Sequence, residues 1–109
     1  MSIREELAEL AAHMTSQPEP IQSLYAIYDF RMKDAEDVQV AFREGSVEVV
    51  DGCTYSPDCT LILSEANLRK LLNDELNTTM AFMTGTLKVE GKLGLALKLQ
   101  EILKNYPRI

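Results

Sequence analysis

The stretch TGTLKVEGKLGLALKLQEIL, residues 84–103, decides the fold. Leu87, Val89, Leu93, Leu95, Leu97 and Leu99 fall on alternate positions, which is the period of a strand with one apolar face. One strand of that length is out of proportion to a chain of 109 residues. The composition changes at Gly91. Residues 86–90, TLKVE, are strand-like, but after Gly91 no β-branched residue occurs until Ile102, and Leu, Ala, Lys, Gln and Glu take over. These are strong helix formers, so the stretch is predicted to be a short, edge-like strand ending at Gly91, followed by a helix. On that helix Leu95, Leu99, Ile102, Leu103 and Tyr106 form one stripe, and Leu93, Ala96 and Leu97 form a second. A surface helix needs only one. Gly94 within the helix costs up to ~1 kcal/mol relative to alanine, which predicts a close neighbour there.

Upstream, CTLIL at 59–63 reads as a strand and Ser64 as the cap of a helix with Leu68, Leu71, Leu72 and Leu76 on one face. The segment NTTMAFM, 77–83, is too short for its period to assign. In LYAIYDFRM, 24–32, Leu24, Ala26, Tyr28, Phe30 and Met32 share one face, while Asp29 and Arg31 take the other. VQVAF repeats the alternation with Val38, Val40 and Phe42 inward, EGS is a turn, and Val47 and Val49 carry a third strand into the turn-rich DGCTYSPD. Three strands with short links imply an antiparallel meander. Residues 3–14 form an amphipathic helix through Ile3, Leu7, Leu10, Ala11 and Met14, and the two prolines of TSQPEPIQ end it. The expected fold is a single α+β domain with about five mainly antiparallel strands and helices on one face of the sheet.

The net charge of −6 makes a nucleic acid a poor partner. Lys88, Lys92 and Lys98 cluster loosely, interrupted by Glu90 and Glu101, and read as a solvated face of mixed sign. The bulk field does not favour an anionic membrane either, although a local patch leaves transient membrane contact open. No apolar run approaches the ~18 residues of a membrane span. MSIREELAELAAHM lacks the form of a secretory signal and YPRI that of a targeting signal, so the protein is expected in the cytoplasm. Cys53 and Cys59 stand in a C-x5-C spacing that suits no zinc site, and both are expected as free thiols. The lone histidine, His13, has no motif around it, and the adjacent pairs Asp74/Glu75 and Glu36/Asp37 read as solvated charge. Gly85, Gly91 and Gly94 match neither the dinucleotide fingerprint nor a P-loop. The residues specify no enzyme, metal or cofactor.

What the sequence over-supplies is flexible apolar surface, including Met80, Phe82 and Met83 beside the leucines. Three uses stand open: a plain core, a cavity for a lipid-sized ligand, or an interface with a second copy or a partner through the second leucine stripe. The run from Pro57 to Leu103 resembles the sterol carrier protein type-two family. The resemblance is carried by the D-x-T strand at Asp58, the S-E-x-x-L-x-x-L helix from Ser64, and AFMTGTLKVEG followed by LALKL, with Phe82, Gly85, Leu87, Lys88 and Gly91 at its centre. It implies a five-stranded sheet covered by helices, enclosing a hydrophobic tunnel that binds and transfers lipids without catalysis. It implies tunnel-facing roles for Leu72, Leu76, Met80, Phe82, Met83, Leu95, Leu99 and Ile102. The chain departs from the family in NDELNTTMAF, which lacks the usual glycine turn and proline, and in having no Trp in its second strand. It also lacks a peroxisomal ending and looks like a stand-alone bacterial type. For such a protein a fatty acyl chain, phospholipid or quinone is a more natural ligand than a sterol.

Overall fold

The structure, a computed structural model, describes residues 2–52 and 54–107. Its elements are α1 (Ile3–Ser16), β1 (Ala26–Met32), β2 (Val38–Arg43), β3 (Ser46–Asp51), β4 (Cys59–Leu63), α2 (Glu65–Leu72), α3 (Thr78–Met83), β5 (Lys88–Gly91) and α4 (Leu93–Leu103), with a single 3-10 turn at Glu19–Ile21. The five strands form one mixed sheet in the order β3-β2-β1-β4-β5. The expected meander is present: β1, β2 and β3 pair antiparallel. Its second hairpin turns on Glu44 and Gly45, both with positive φ (50° and 79°), the conformation that a two-residue loop between twisted strands requires. β4 pairs parallel with β1 on the other side, and β5 pairs antiparallel with β4 at the edge.

The helix starts follow their sequence signals. Ser2 caps α1 in a reciprocal box with Glu5, Ser64 caps α2 by accepting from Asn67 N–H, and Asn77 caps α3 by accepting from Met80 N–H. The apolar segment 77–83 is therefore a helix, α3, whose start the side chain of Asn77 sets. α2 ends at Leu72, so Leu76 lies in the connection to α3, outside the helical face assigned to it from its period. α4 begins two residues after Gly91, and the alternation across residues 84–103 is split where the composition changes.

The strands alternate as expected on the helix-covered face. Tyr28, Phe30, Val38, Val40, Phe42, Cys59, Leu61 and Leu63 are buried there. The opposite face, expected to be the uncovered one, is also closed at its centre. Asp29, Gln39 and Thr60 stand in one cross-strand row and are all buried. The connection from β3 to β4 closes over this row: Gln39 donates to the Tyr55 carbonyl (2.8 Å) and accepts from Tyr55 N–H (2.9 Å). Asp29 accepts from Arg31 Nε (3.1 Å), and burial raises its carboxyl above the usual range while Arg31 opposes the shift.

Asp58 joins three elements at one point. Its carboxylate accepts from Ile27 N–H (2.9 Å), its N–H donates to the Ile27 carbonyl (2.9 Å), and its carbonyl accepts from Lys92 N–H (3.2 Å) at the start of α4. Gly91 lies against that carbonyl at φ +86°, where a Cβ would stand 2.6 Å from the oxygen. Gly94 has no such neighbour: a Cβ there meets nothing within 4 Å, so the close contact expected of it is absent. Gly91→Ala is therefore expected to lower stability by more than about 2 kcal/mol, through positive φ and a backbone clash together. Gly94→Ala should raise it by about 0.5–1 kcal/mol. Urea unfolding midpoints of the two variants check both signs.

Candidate functional site

The apolar layer between the sheet and its helices holds a cavity of about 20 Å³. Leu7, Leu10, Ala11 and Met14 of α1 form one wall, and Phe30, Val40, Phe42 and Val47 of the sheet form the floor. Leu72 at the end of α2 and Leu99 and Leu103 of α4 close it. Every side chain in this lining is apolar. A void of this size holds about one water molecule, and it offers a water no polar partner. Two lining residues, Ala11 and Val47, also border an open groove of about 600 Å³ between α1 and β3, with Ala8, Ala12 and Val49 along its sides. Those two small side chains are thus shared between the inner cavity and the outer groove.

α4 is held over the sheet by specific contacts. Tyr28, fully buried on β1, donates its hydroxyl to the Leu95 carbonyl (2.7 Å). Cys59, its register partner on β4, lies close to Ala96, and burial pushes its thiol up to about 11. It is a free, protonated thiol, as the composition suggests, while Cys53 lies outside the described residues. At the far end of the helix, Tyr106 donates to the Gln17 carbonyl (2.6 Å) and meets His13 edge-on, with centroids 5.2 Å apart. This ties the end of the described chain to the end of α1. Arg69 of α2 pairs with Glu6 of α1 and with Glu65 one turn before it.

The eight residues assigned to a tunnel separate into three groups. Leu72 and Leu99 line the cavity, and Ile102 is buried in the same core. Leu76 and Leu95 are half-buried and pack against the core from outside. Met80, Phe82 and Met83 face outward, with Met83 78% exposed. The structure shows a small cavity here, lined by two of the eight. The wall that sequence reasoning did not assign to it is α1, whose apolar face at Leu7, Leu10, Ala11 and Met14 was legible but reads equally well as ordinary core. α3 is fixed by Thr78 N–H donating to Gln100 Oε1 (2.9 Å) and by Leu87 N–H donating to the Ala81 carbonyl (3.0 Å). Among the described residues no group of His, Cys, Asp or Glu could hold a metal ion, and no helix is long and apolar enough to cross a membrane.

An open mixed sheet with its helices on one face and a dry interior between the layers defines an α+β fold of a recognisable kind. The SCP-2 sterol transfer family matches residues 6–104, and the chain belongs to that family. Sterol carrier protein 2 of Bos taurus is 29% identical over 87 residues, which is 75% of this chain and 16% of that protein. The chain thus spans about a sixth of the length of that relative. The solution structure of sterol carrier protein domain 2 of Helicoverpa armigera matches with a TM-score of 0.78 at 26% identity, covering 96% of this chain and 88% of that one. Sterol carrier protein 2 of Aedes aegypti, solved as a complex with the C16 fatty acid palmitate, has the same fold with a TM-score of 0.68 at 16% identity, covering 94% and 96%.

Tyr28→Phe removes the hydroxyl that anchors α4 to the central strand and changes little else. It should lower unfolding free energy by about 1 kcal/mol. Hydrogen exchange should then speed up at the amides of α4 more than at those of β2 and β3.

Proposed function

We propose that this domain binds the hydrocarbon part of a lipid between the sheet and its helices and carries it without catalysing a reaction. The observation that carries the reading is the cavity between α1, α4 and the sheet, whose lining is apolar throughout, in a chain of this family. A protein of the same fold is solved as a complex with palmitate, which supports a fatty acid as the kind of ligand. Each methylene removed from water contributes about 0.8 kcal/mol, so a long acyl or isoprenoid chain has ample driving force. The reading takes a fatty acid, phospholipid or quinone as the ligand in preference to a sterol.

The cavity is far smaller than such a chain, so binding requires the layers to part. Ala11 and Val47 line both the cavity and the outer groove, and so stand between the two. We take the groove between α1 and β3 as the route inward. A carrier also fits the chemistry of the interior. Cys59 is held as a protonated thiol, and His13 is packed against Tyr106 on another element. A nucleophile needs a base to activate it, and the Asp58 carboxylate beside this thiol instead raises its pKa and accepts from Ile27 N–H. The buried free thiol suits a reducing compartment, which supports the cytoplasm as the location.

The test uses the purified full chain. Native mass spectrometry followed by solvent extraction should find a co-purified lipid, and a fluorescent fatty acid should bind at micromolar protein. Ala11→Leu fills the partition with a larger apolar side chain of the same character. It should reduce fatty-acid binding at least tenfold while leaving the circular dichroism spectrum unchanged. No lipid in the wild-type protein together with no fatty-acid binding would overturn the reading.

A further inference from the structure

Four polar side chains are buried among the described residues: Asp29, Gln39, Thr60 and Thr78. The first three form the row on the face of the sheet away from the helices. Thr78, the first residue of α3, is the one that lies in the helix layer, and it is 1% exposed. Its N–H is satisfied by Gln100 Oε1 (2.9 Å), but its hydroxyl is shut off from solvent and has no hydrogen-bond partner. Asp29 also keeps one oxygen unpaired, yet its other oxygen accepts from Arg31. A buried hydroxyl with no partner is uncommon in a folded interior, because nothing offsets the loss of its hydration.

The neighbours of Thr78 place it toward one end of the cavity, the end formed by Leu72, Leu99 and Leu103. Thr78 follows Leu72 through a short connection in which Leu76 packs against the core. Its partner Gln100 stands next to Leu99 on α4 and a turn before Leu103. Ala11 and Val47, which also border the outer groove, lie at the other side of the cavity. A lipid moving inward from the groove therefore travels toward Thr78. The end that arrives there meets one hydroxyl and no cation, since no Lys, Arg or His is buried among the described residues. An ionised carboxylate would stay uncompensated in such a place, whereas an uncharged carbonyl needs only a single donor.

We infer that Thr78 is a polar anchor of the lipid site, its hydroxyl donating to an uncharged carbonyl oxygen at the leading end of the lipid. Thr78 does not line the cavity as it stands; it is reached when Leu72, Leu99 and Leu103 part around the ligand. This rests on the carrier reading and adds to it a ligand class, lipids that end in a ketone, ester or quinone carbonyl, and a direction of insertion. A fatty acid enters the other way round, with its carboxylate left toward the groove, and gains nothing from Thr78.

The test titrates the full chain, stripped of any bound lipid, with 2-hexadecanone and with palmitate, each displacing a fluorescent fatty acid. Thr78→Val keeps the shape of the side chain and the N–H bond to Gln100 and removes only the hydroxyl. It should weaken 2-hexadecanone binding by about tenfold or more, the worth of one buried hydrogen bond, and leave palmitate binding unchanged. Thr78→Ser, which restores the hydroxyl, should keep the ketone affinity of the wild type. The infrared carbonyl band of the bound ketone should lie at lower frequency in the wild type and Thr78→Ser than in Thr78→Val. The inference is overturned if Thr78→Val binds both ligands like the wild type, if it loses both equally, or if the carbonyl band is the same in all three proteins. A wild type that binds palmitate but not the ketone removes the anchor and leaves the carrier reading standing. A wild type that does not bind even the fluorescent fatty acid removes both.

Discussion

The junction at Asp58 is the point on which the remaining structure depends. A chain that has built the meander β1-β2-β3 must return from the edge to lie beside β1, and a parallel strand cannot be reached by a tight turn. Asp58 fixes the end of that return. It exchanges hydrogen bonds with Ile27 through its carboxylate and its N–H, which sets the register of β4 on β1. Its carbonyl then receives the first turn of α4 through Lys92 N–H. The absence of a side chain at Gly91 is what lets these segments come that close. With β1, β4, β5 and α4 joined there, α4 is laid directly over Tyr28 and Cys59, and the helix layer acquires its distance from the sheet.

That spacing explains the character of the interior. Tyr28 satisfies its hydroxyl on the Leu95 carbonyl, so the one long polar side chain beneath α4 costs no unpaired group. Ala96 is small where it meets Cys59. Toward α1 the packing loosens into a void that no side chain fills. Interiors are normally filled to crystal density, and an unfilled apolar space loses dispersion contacts around its whole wall. Ala11, one of the small side chains of α1, lines that space. The polar row of Asp29, Gln39 and Thr60 on the opposite face has the contrary character, being pinned by the connection through Tyr55.

Most of the elements could be read from the sequence because local signals and burial agree. The helix of α1, the meander, the cap at Ser64 and the break at Gly91 each have a turn or capping residue where the hydrophobic period changes. Three features could not be read in this way. The parallel pairing of β4 with β1 depends on contacts made across a long sequence separation, and nothing in CTLIL distinguishes a parallel from an antiparallel neighbour. The burial of Asp29 and Gln39 depends on where the β3–β4 connection lies, which alternation does not encode. At the candidate site, Leu72 and Leu99 were legible as inward-facing. Met80, Phe82 and Met83 have the same apolar character, yet α3 is only six residues long and leaves them facing outward. Composition identifies a surplus of apolar surface but does not say which side of a short helix carries it.

The central claim is that a lipid chain lies between the sheet and the helices, on the Leu72 and Leu99 side of the sheet. The most direct measurement is methyl NMR of the protein with a fatty acid carrying a nitroxide near its methyl end. The account predicts selective broadening of the methyl signals of Met14, Leu72 and Leu99, with those of Ile27 and Ile62 on the opposite face much less affected. Broadening confined to Ile27 and Ile62, or to the exposed methyls of Met80 and Met83 with the interior unchanged, would contradict it.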